Sequence, residues 1–160
     1  MTVTMVFLLV GFILGAFAVY EAVRFLAPRL MIEDRESALS FDDTVRGLEG
    51  AVREAGWVLS DSKDFNRSLE KEGAALEPRI HLIKLCKPSY AVEVLKEERR
   101  VACLMPCTFA VYEDDAGRVR VSKMNTGLMG KLFGGAVRRV MGESVSKEEK
   151  AMLRGILRHA

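Results

Sequence analysis

The first twenty residues carry no charged side chain, and no other feature constrains the folding of this chain as strongly. Nearly all of them are apolar. At 1.5 Å per residue, a helix of this length crosses roughly 30 Å of hydrocarbon. A single segment in lipid satisfies its backbone polar groups only as a helix, because no water is available there. Residues 1–20 are therefore predicted to form one transmembrane helix, with the lipid bilayer as a partner.

A cleaved signal peptide is the alternative interpretation of this run. Ala16, Phe17 and Ala18 form an A-x-A pattern after an apolar stretch, which is typical of a cleavage site. A signal peptide also begins with basic residues, whereas the leading MTVT contains no Lys or Arg. The sequence therefore favours a retained anchor.

Basic residues just beyond the apolar run predict which side of the membrane the rest of the chain occupies. Arg24, Arg29 and Arg35 follow it within about fifteen residues, the distance over which Lys and Arg set orientation. We therefore expect a single-pass protein of the cell membrane whose globular domain is cytoplasmic. Free thiols suit that compartment, and three cysteines are too few for a disulfide scaffold.

Two glycines inside the apolar run are spaced for contact between helices. Gly11 and Gly15 form a G-x-x-x-G pair, which lets two backbones approach closely. Glycine is also common in membrane helices without such a role. The pair is a candidate dimer contact in a homo-oligomer or in an assembly with another membrane protein, and a tolerated lipid-facing pair is the alternative.

Residues 21–36 mix charged and apolar side chains and are predicted to be a juxtamembrane connector lying at the interface. Pro28 is expected to break or kink any helix that continues from the membrane. The predicted organisation is thus an anchor over residues 1–20, this connector, and a domain over residues 37–160.

The sequence of the domain predicts both helices and strands, without a repeated βαβ order. A capped amphipathic helix extends from Ser40 to Gly56, and a second helix follows Pro88. Strands are expected at residues 80–86, from Val101, after Pro106 and over residues 118–123. Two helices complete the tail, the last opened by a capping box of Ser146 and Glu149. This order predicts an α+β two-layer sandwich, a mainly antiparallel sheet covered by helices.

Charge and motif content exclude several function classes. The 24 basic and 22 acidic residues leave a net charge of +2, which does not indicate a nucleic acid partner. The sequence shows neither paired carboxylates on a plausible cleft nor a Ser-His-Asp arrangement. We therefore predict no catalytic residues and no cofactor.

The cysteines are the main candidates for chemistry. Cys86 ends one predicted strand and Cys107 begins another, so their sulfurs, with Cys103 or His81, are a candidate thiol or metal site. Such a set would bind zinc or copper, or a thiol pair would cycle through a disulfide. The spacing matches no known zinc or redox motif, and free cysteine is among the most buried residue types. The cysteines are thus predicted either to form a thiol or metal site or to have a structural role in the core, and both interpretations are kept.

The junction between Cys86 and Pro88 offers a second candidate site. The first backbone N–H groups of the helix point outward there, and a helix N-terminus attracts anions. Lys87 and Ser89 are the candidate side chains of this helix-start anion site. Any strand-to-helix junction has this property.

Several motifs together resemble the domain of unknown function 302 family. They are CKPSYA before a helix, LMPCTFAVYE entering a strand, the DDAGRVRV hairpin, and MNTGLM. The likeness covers about residues 37–157. It implies a small α+β domain that tends to pair into dimers, and it brings no established reaction.

Two functions follow as hypotheses. The first is a membrane-anchored, non-catalytic binding or accessory module, either homodimeric or a small subunit of a membrane protein assembly. The alternative is a thiol-dependent redox or metal-binding protein that uses Cys86 and Cys107.

Overall fold

The computed structural model describes residues 2–158, and its contacts divide the chain into two units at Met31 and Ile32. The helices are α1 (Thr2–Met31), α2 (Phe41–Glu54), α3 (Phe65–Glu70), α4 (Pro88–Glu97), α5 (Thr126–Phe133), α6 (Gly135–Val137) and α7 (Ser146–Met152). The strands are β1 (Ile32–Glu36), β2 (Val58–Asp64), β3 (Ile80–Cys86), β4 (Cys107–Glu113) and β5 (Val119–Met124). A 3₁₀ segment (Arg99–Leu104) and a π-helical segment (Arg138–Val145) complete the described elements.

The first unit is the single helix α1. Its residues Met5–Met31 have a mean hydropathy of 2.3, and the side chains of these residues are almost all exposed. Among residues 2–158 it is the one helix long and apolar enough to cross a membrane. The helix does not break at Pro28, as the sequence suggested, but continues for three more residues. Proline removes one backbone hydrogen bond of a helix. Because Pro28 is near the end of α1, this loss affects only the last turn.

The second unit begins with a strand rather than with a connector. β1 pairs antiparallel with β5, from Ile32 opposite Met124 to Glu36 opposite Arg120. The stretch predicted as an interfacial connector is therefore shared between α1 and the sheet. The charged side chains of this stretch do not have the apolar pattern typical of a strand. They pair with charges on β5 instead: Asp34 lies 2.7 Å from Arg120.

The sheet is fully antiparallel, in the order β1-β5-β4-β3-β2. Its core face holds Ile83, Leu85, Phe109 and Val111, which are 0% exposed. Helix α2 packs on this face, and its N-cap is confirmed, since the Ser40 side chain accepts a hydrogen bond from the Asp43 N–H. The predicted α+β architecture, with a sheet covered by helices and preceded by one long apolar helix, is confirmed.

Two local predictions are wrong. The strand expected from Val101 is the 3₁₀ segment, in which Val101 alone is buried. The capping box of Ser146 and Glu149 is absent, because the π-helical segment continues into α7 and leaves no free N-terminus there. The carboxylate of Glu149 is used inside the domain instead.

Candidate functional site

The structure brings Cys86 and Cys107 to one end of the sheet. Cys86 is the last residue of β3, and Cys107 pairs with its neighbour Leu85. Both cysteines line a cavity of about 20 Å³, which has room for roughly one water molecule. The cavity is otherwise lined mainly by apolar and aromatic side chains, including Trp57, Tyr90 and Met141.

Cys107 is half-buried, and its surroundings disfavour the ionised form of its thiol. Burial raises its pKa to about 12, and the nearby Glu149 carboxylate and Cys86 thiol act in the same direction. A nucleophile or a metal ligand must be a thiolate, and this environment disfavours one. All three cysteines are free.

Cys103 and His81 lie outside this cavity. Cys103 is exposed on the 3₁₀ segment, where its thiol donates to the Arg100 carbonyl at 3.2 Å. His81 is five residues from Cys86 along β3, a distance of about 17 Å. Its Nε2 lies 2.9 Å from the Ser62 hydroxyl, and burial lowers its pKa. The four predicted ligands therefore do not converge, and residues 2–158 contain no group of three or more His, Cys, Asp or Glu able to hold a metal ion.

At the start of α4, the candidate side chain Lys87 binds a carboxylate of the protein itself. Lys87 donates to both oxygens of Glu148, at 3.1 and 2.9 Å. The Tyr90 hydroxyl and the Trp57 indole N–H each donate to the same carboxylate at 2.6 Å. We call these four side chains the Glu148 cluster. Ser89, the other candidate at this helix start, is exposed.

Charge and aromatic contacts both stabilise the Glu148 cluster. Burial alone would raise the pKa of Glu148, but hydrogen bonds from Tyr90, Lys87 and Trp57 outweigh it and hold the pKa below its ordinary value. The Glu148 carboxylate raises the pKa of Lys87. The Lys87 ammonium lies 4.6 Å from the centre of the Tyr90 ring, and that ring meets Trp57 edge to face. The cluster thus keeps the Glu148 carboxylate ionised and hydrogen-bonded on both oxygens.

A second acid, Glu149, is buried beside β5 and pairs with Lys123. The Lys123 ammonium lies 3.0 Å from Glu149, and the Thr126 hydroxyl donates to the same oxygen at 2.8 Å. The two charged side chains are only 3% and 2% exposed. The alternation of β5 carries the one sequence signal for this pair, because Lys123 falls on the same face as Val119 and Val121. The sequence did not indicate Glu148 as the centre of its cluster.

A groove of about 440 Å³ lies beside the buried pair, between the edge of the sheet and the last helix. We call it the basic groove, because five of its lining side chains are cationic: Arg35, Lys123, Lys150, Arg154 and Arg158. Among the described residues that line it, Glu33 is the one acidic residue, and Val121, Leu153 and Leu157 supply the apolar part.

The sequence of this domain matches the model of a known family. The model of a domain of unknown function, DUF302, matches residues 33–160. The chain belongs to the DUF302 family. The match begins inside β1, in agreement with a domain that starts before residue 37.

A solved DUF302 structure has the same fold. The crystal structure of an uncharacterized conserved DUF302 protein from Bacillus stearothermophilus aligns with a TM-score of 0.68 and 18% identity. The alignment covers 78% of this chain and 96% of that one. No curated protein matches the chain. At this identity the likeness concerns the fold alone.

Proposed function

We propose that this DUF302 protein is a single-pass, membrane-anchored binding or accessory module without catalytic activity. It acts as a homodimer or as a small subunit of a membrane protein assembly, with its domain on the cytoplasmic side. One observation carries the proposal: α1 is apolar and exposed over Met5–Met31, and the family domain follows it without a linker. An exposed apolar helix of this length is stable in a bilayer and costly in water.

The state of the ionisable groups supports a non-catalytic role. General acids and bases work best with a pKa near the working pH, and nucleophilic cysteines work as thiolates. Glu148 is held ionised by three donors, and Cys107 is held protonated. Burial raises the pKa of Glu149, but its carboxylate is engaged by Lys123 and Thr126 inside the core. These groups contribute to stability rather than standing free for a reaction.

Membrane extraction and cysteine labelling of the full chain test this proposal. We expect the chain, expressed in cells, to stay in the membrane pellet through alkaline carbonate extraction at its uncleaved mass. Cys103 is the exposed native reporter of orientation. A membrane-impermeant maleimide should label it only after the cells are permeabilised, and Cys103→Ser provides the matched control. A soluble chain cleaved after the apolar run overturns the anchor, and labelling of intact cells overturns the orientation.

Thiol chemistry at Cys86 and Cys107 is the second candidate function. The observation that favours it is the cavity that both residues line. In this alternative the two thiols release two protons and two electrons to an oxidant and form a disulfide, or they bind zinc or copper. Metal analysis of the purified protein tests for metal binding. Its intact mass after equilibration in glutathione buffers tests for the disulfide. One equivalent of metal, or a mass loss of two hydrogens that Cys86→Ser abolishes, would establish this function.

A further inference from the structure

We propose that the basic groove binds the headgroup of an anionic phospholipid from the membrane that holds α1. This inference rests on the proposed function, because it takes the ligand from the anchoring bilayer. It assigns a ligand class to a cavity separate from the Glu148 cluster and from the cysteine cavity.

The charges of the groove are only partly neutralised by the protein. Lys123 is paired with Glu149 and Glu33, and Arg158 lies 2.7 Å from Glu36. In contrast, Arg35, Lys150 and Arg154 have no carboxylate within 4.0 Å among the described residues; all three are exposed. Two guanidinium groups and one ammonium therefore remain available to an anion. Arg pairs with phosphate through two parallel hydrogen bonds, and Lys adds a mobile point charge.

The shape and lining of the groove fit a phospholipid better than a free inorganic ion. Its volume of about 440 Å³ is in the range of small-molecule sites, and far larger than a phosphate ion needs. Val121, Leu153 and Leu157 provide apolar surface next to the cations. A headgroup with its glycerol and first acyl carbons has this same combination of anionic and apolar parts.

Chain connectivity limits how far one wall of the groove can be from the anchor. Glu33 and Arg35 are the second and fourth residues after Met31, the last residue of α1. Four extended residues span at most about 14 Å. The negative potential of an anionic leaflet extends over a Debye length of about 10 Å at ordinary salt. Arg35 therefore lies within about 14 Å of the end of α1, whatever the orientation of the domain.

Native mass spectrometry of the full chain in a neutral detergent tests the inference. The protein is titrated with equal amounts of short-chain phosphatidylglycerol and phosphatidylcholine, and the bound populations give the two dissociation constants. We expect one phosphatidylglycerol to bind at least tenfold more tightly than phosphatidylcholine. The variant Arg35→Gln, Lys150→Gln, Arg154→Gln should lose at least tenfold in affinity for phosphatidylglycerol. All three changed side chains are exposed, so folding should be preserved.

The control removes two exposed arginines outside the groove, Arg67→Gln with Arg99→Gln, and should bind like the unmodified chain. Equal binding of the two lipids, or undiminished binding by the triple variant, overturns the proposal. Displacement of the lipid by an equal concentration of inorganic phosphate also overturns it, because the groove would then recognise the ion alone. Failure of the anchor is seen separately: carbonate extraction of the triple variant reports on α1, which these substitutions leave unchanged.

Discussion

At the scale of single residues, Glu148 holds together parts of the chain that are far apart in sequence. It joins Trp57, Lys87 and Tyr90, which precede it by 91, 61 and 58 residues. We expect Glu148→Gln to lower the free energy of unfolding at pH 7 by about 1–2 kcal/mol, because charge-assisted hydrogen bonds become neutral ones. Urea unfolding of the full chain in detergent, followed by fluorescence of Trp57, the single tryptophan, measures the loss.

The sign of the pH dependence identifies the cause of that loss. The folded pKa of Glu148 is lowered, so its stabilisation is present above the unfolded value near 4.5 and disappears as the pH falls through the folded value. The difference between the original chain and Glu148→Gln should therefore shrink below about pH 4. Glu143→Gln changes a mostly exposed carboxylate in the preceding segment and should have little effect at any pH. A difference that does not depend on pH would contradict this explanation.

Cys107 is predicted to be the slowest of the three thiols. With a pKa of about 12, it should be alkylated on the order of a thousandfold more slowly at pH 8 than free cysteine. Exposed Cys103 should react first. Iodoacetamide labelling of the folded chain, followed by peptide mass spectrometry, gives the three rates. If Cys107 reacted as fast as Cys103, the thiol function would regain support.

At the scale of elements, β1 decides where the domain begins. Residues 33–36 were predicted to lie in a connector, yet β1 supplies Asp34 to Arg120 and Glu33 to Lys123. A fragment starting at Ser37 should be less stable than one starting at Ile32 by about 2–4 kcal/mol, since a few ladder hydrogen bonds contribute roughly 1 kcal/mol each. Urea midpoints of the two fragments make the comparison. Equal midpoints would show that β1 contributes nothing.

Elements with strong local signals were predicted correctly, and those without them were not. Helix α2 has its Ser40 cap, its apolar periodicity and the positive φ of Gly56 within one short stretch. The edge strand β1 has a charged sequence whose partners lie more than eighty residues away. In the tail, the crossing of α5 and the π-helical segment depends on Gly130, where an added Cβ would lie 2.8 Å from the Gly142 nitrogen. These two glycines are close in sequence, but the contact depends on how two successive helical segments cross, which the periodicity of either segment does not determine.

At the scale of the whole molecule, self-association is predicted to depend on α1. A Cβ added at Gly11 or Gly15 would have nothing within 4 Å in the single chain, so the surface is open to a second helix. We expect Gly11→Leu with Gly15→Leu to reduce the dimer fraction several-fold in sedimentation measurements in density-matched detergent. Ala16→Leu, on another face of the helix, is the matched control. An unchanged dimer fraction would move the contact to the domain or to another part of α1.

The candidate site could be predicted only in part. The sequence placed Cys86 and Cys107 at neighbouring strand ends, and the structure puts both on one cavity. It also grouped Cys103 and His81 with them, but the 3₁₀ segment and the length of β3 keep these apart. The sequence indicates an anion-attracting helix start around Lys87, whereas the acid that the Lys87 side chain binds, Glu148, comes from an element near the other end of the chain.

The apolar helix, the capped helix α2 and the α+β class follow from residues close together in sequence, since periodicity, caps and lack of charge act within a few turns. The pairing of β1 with β5, the burial of Lys123 with Glu149 and the basic groove depend on contacts across the fold. These contacts form only when segments that are distant in sequence pack together. Removing a charge from water is costly unless an oppositely charged partner is buried with it. From the sequence alone, a charged residue is therefore predicted to be exposed. Only the tertiary structure shows whether an oppositely charged partner allows it to be buried.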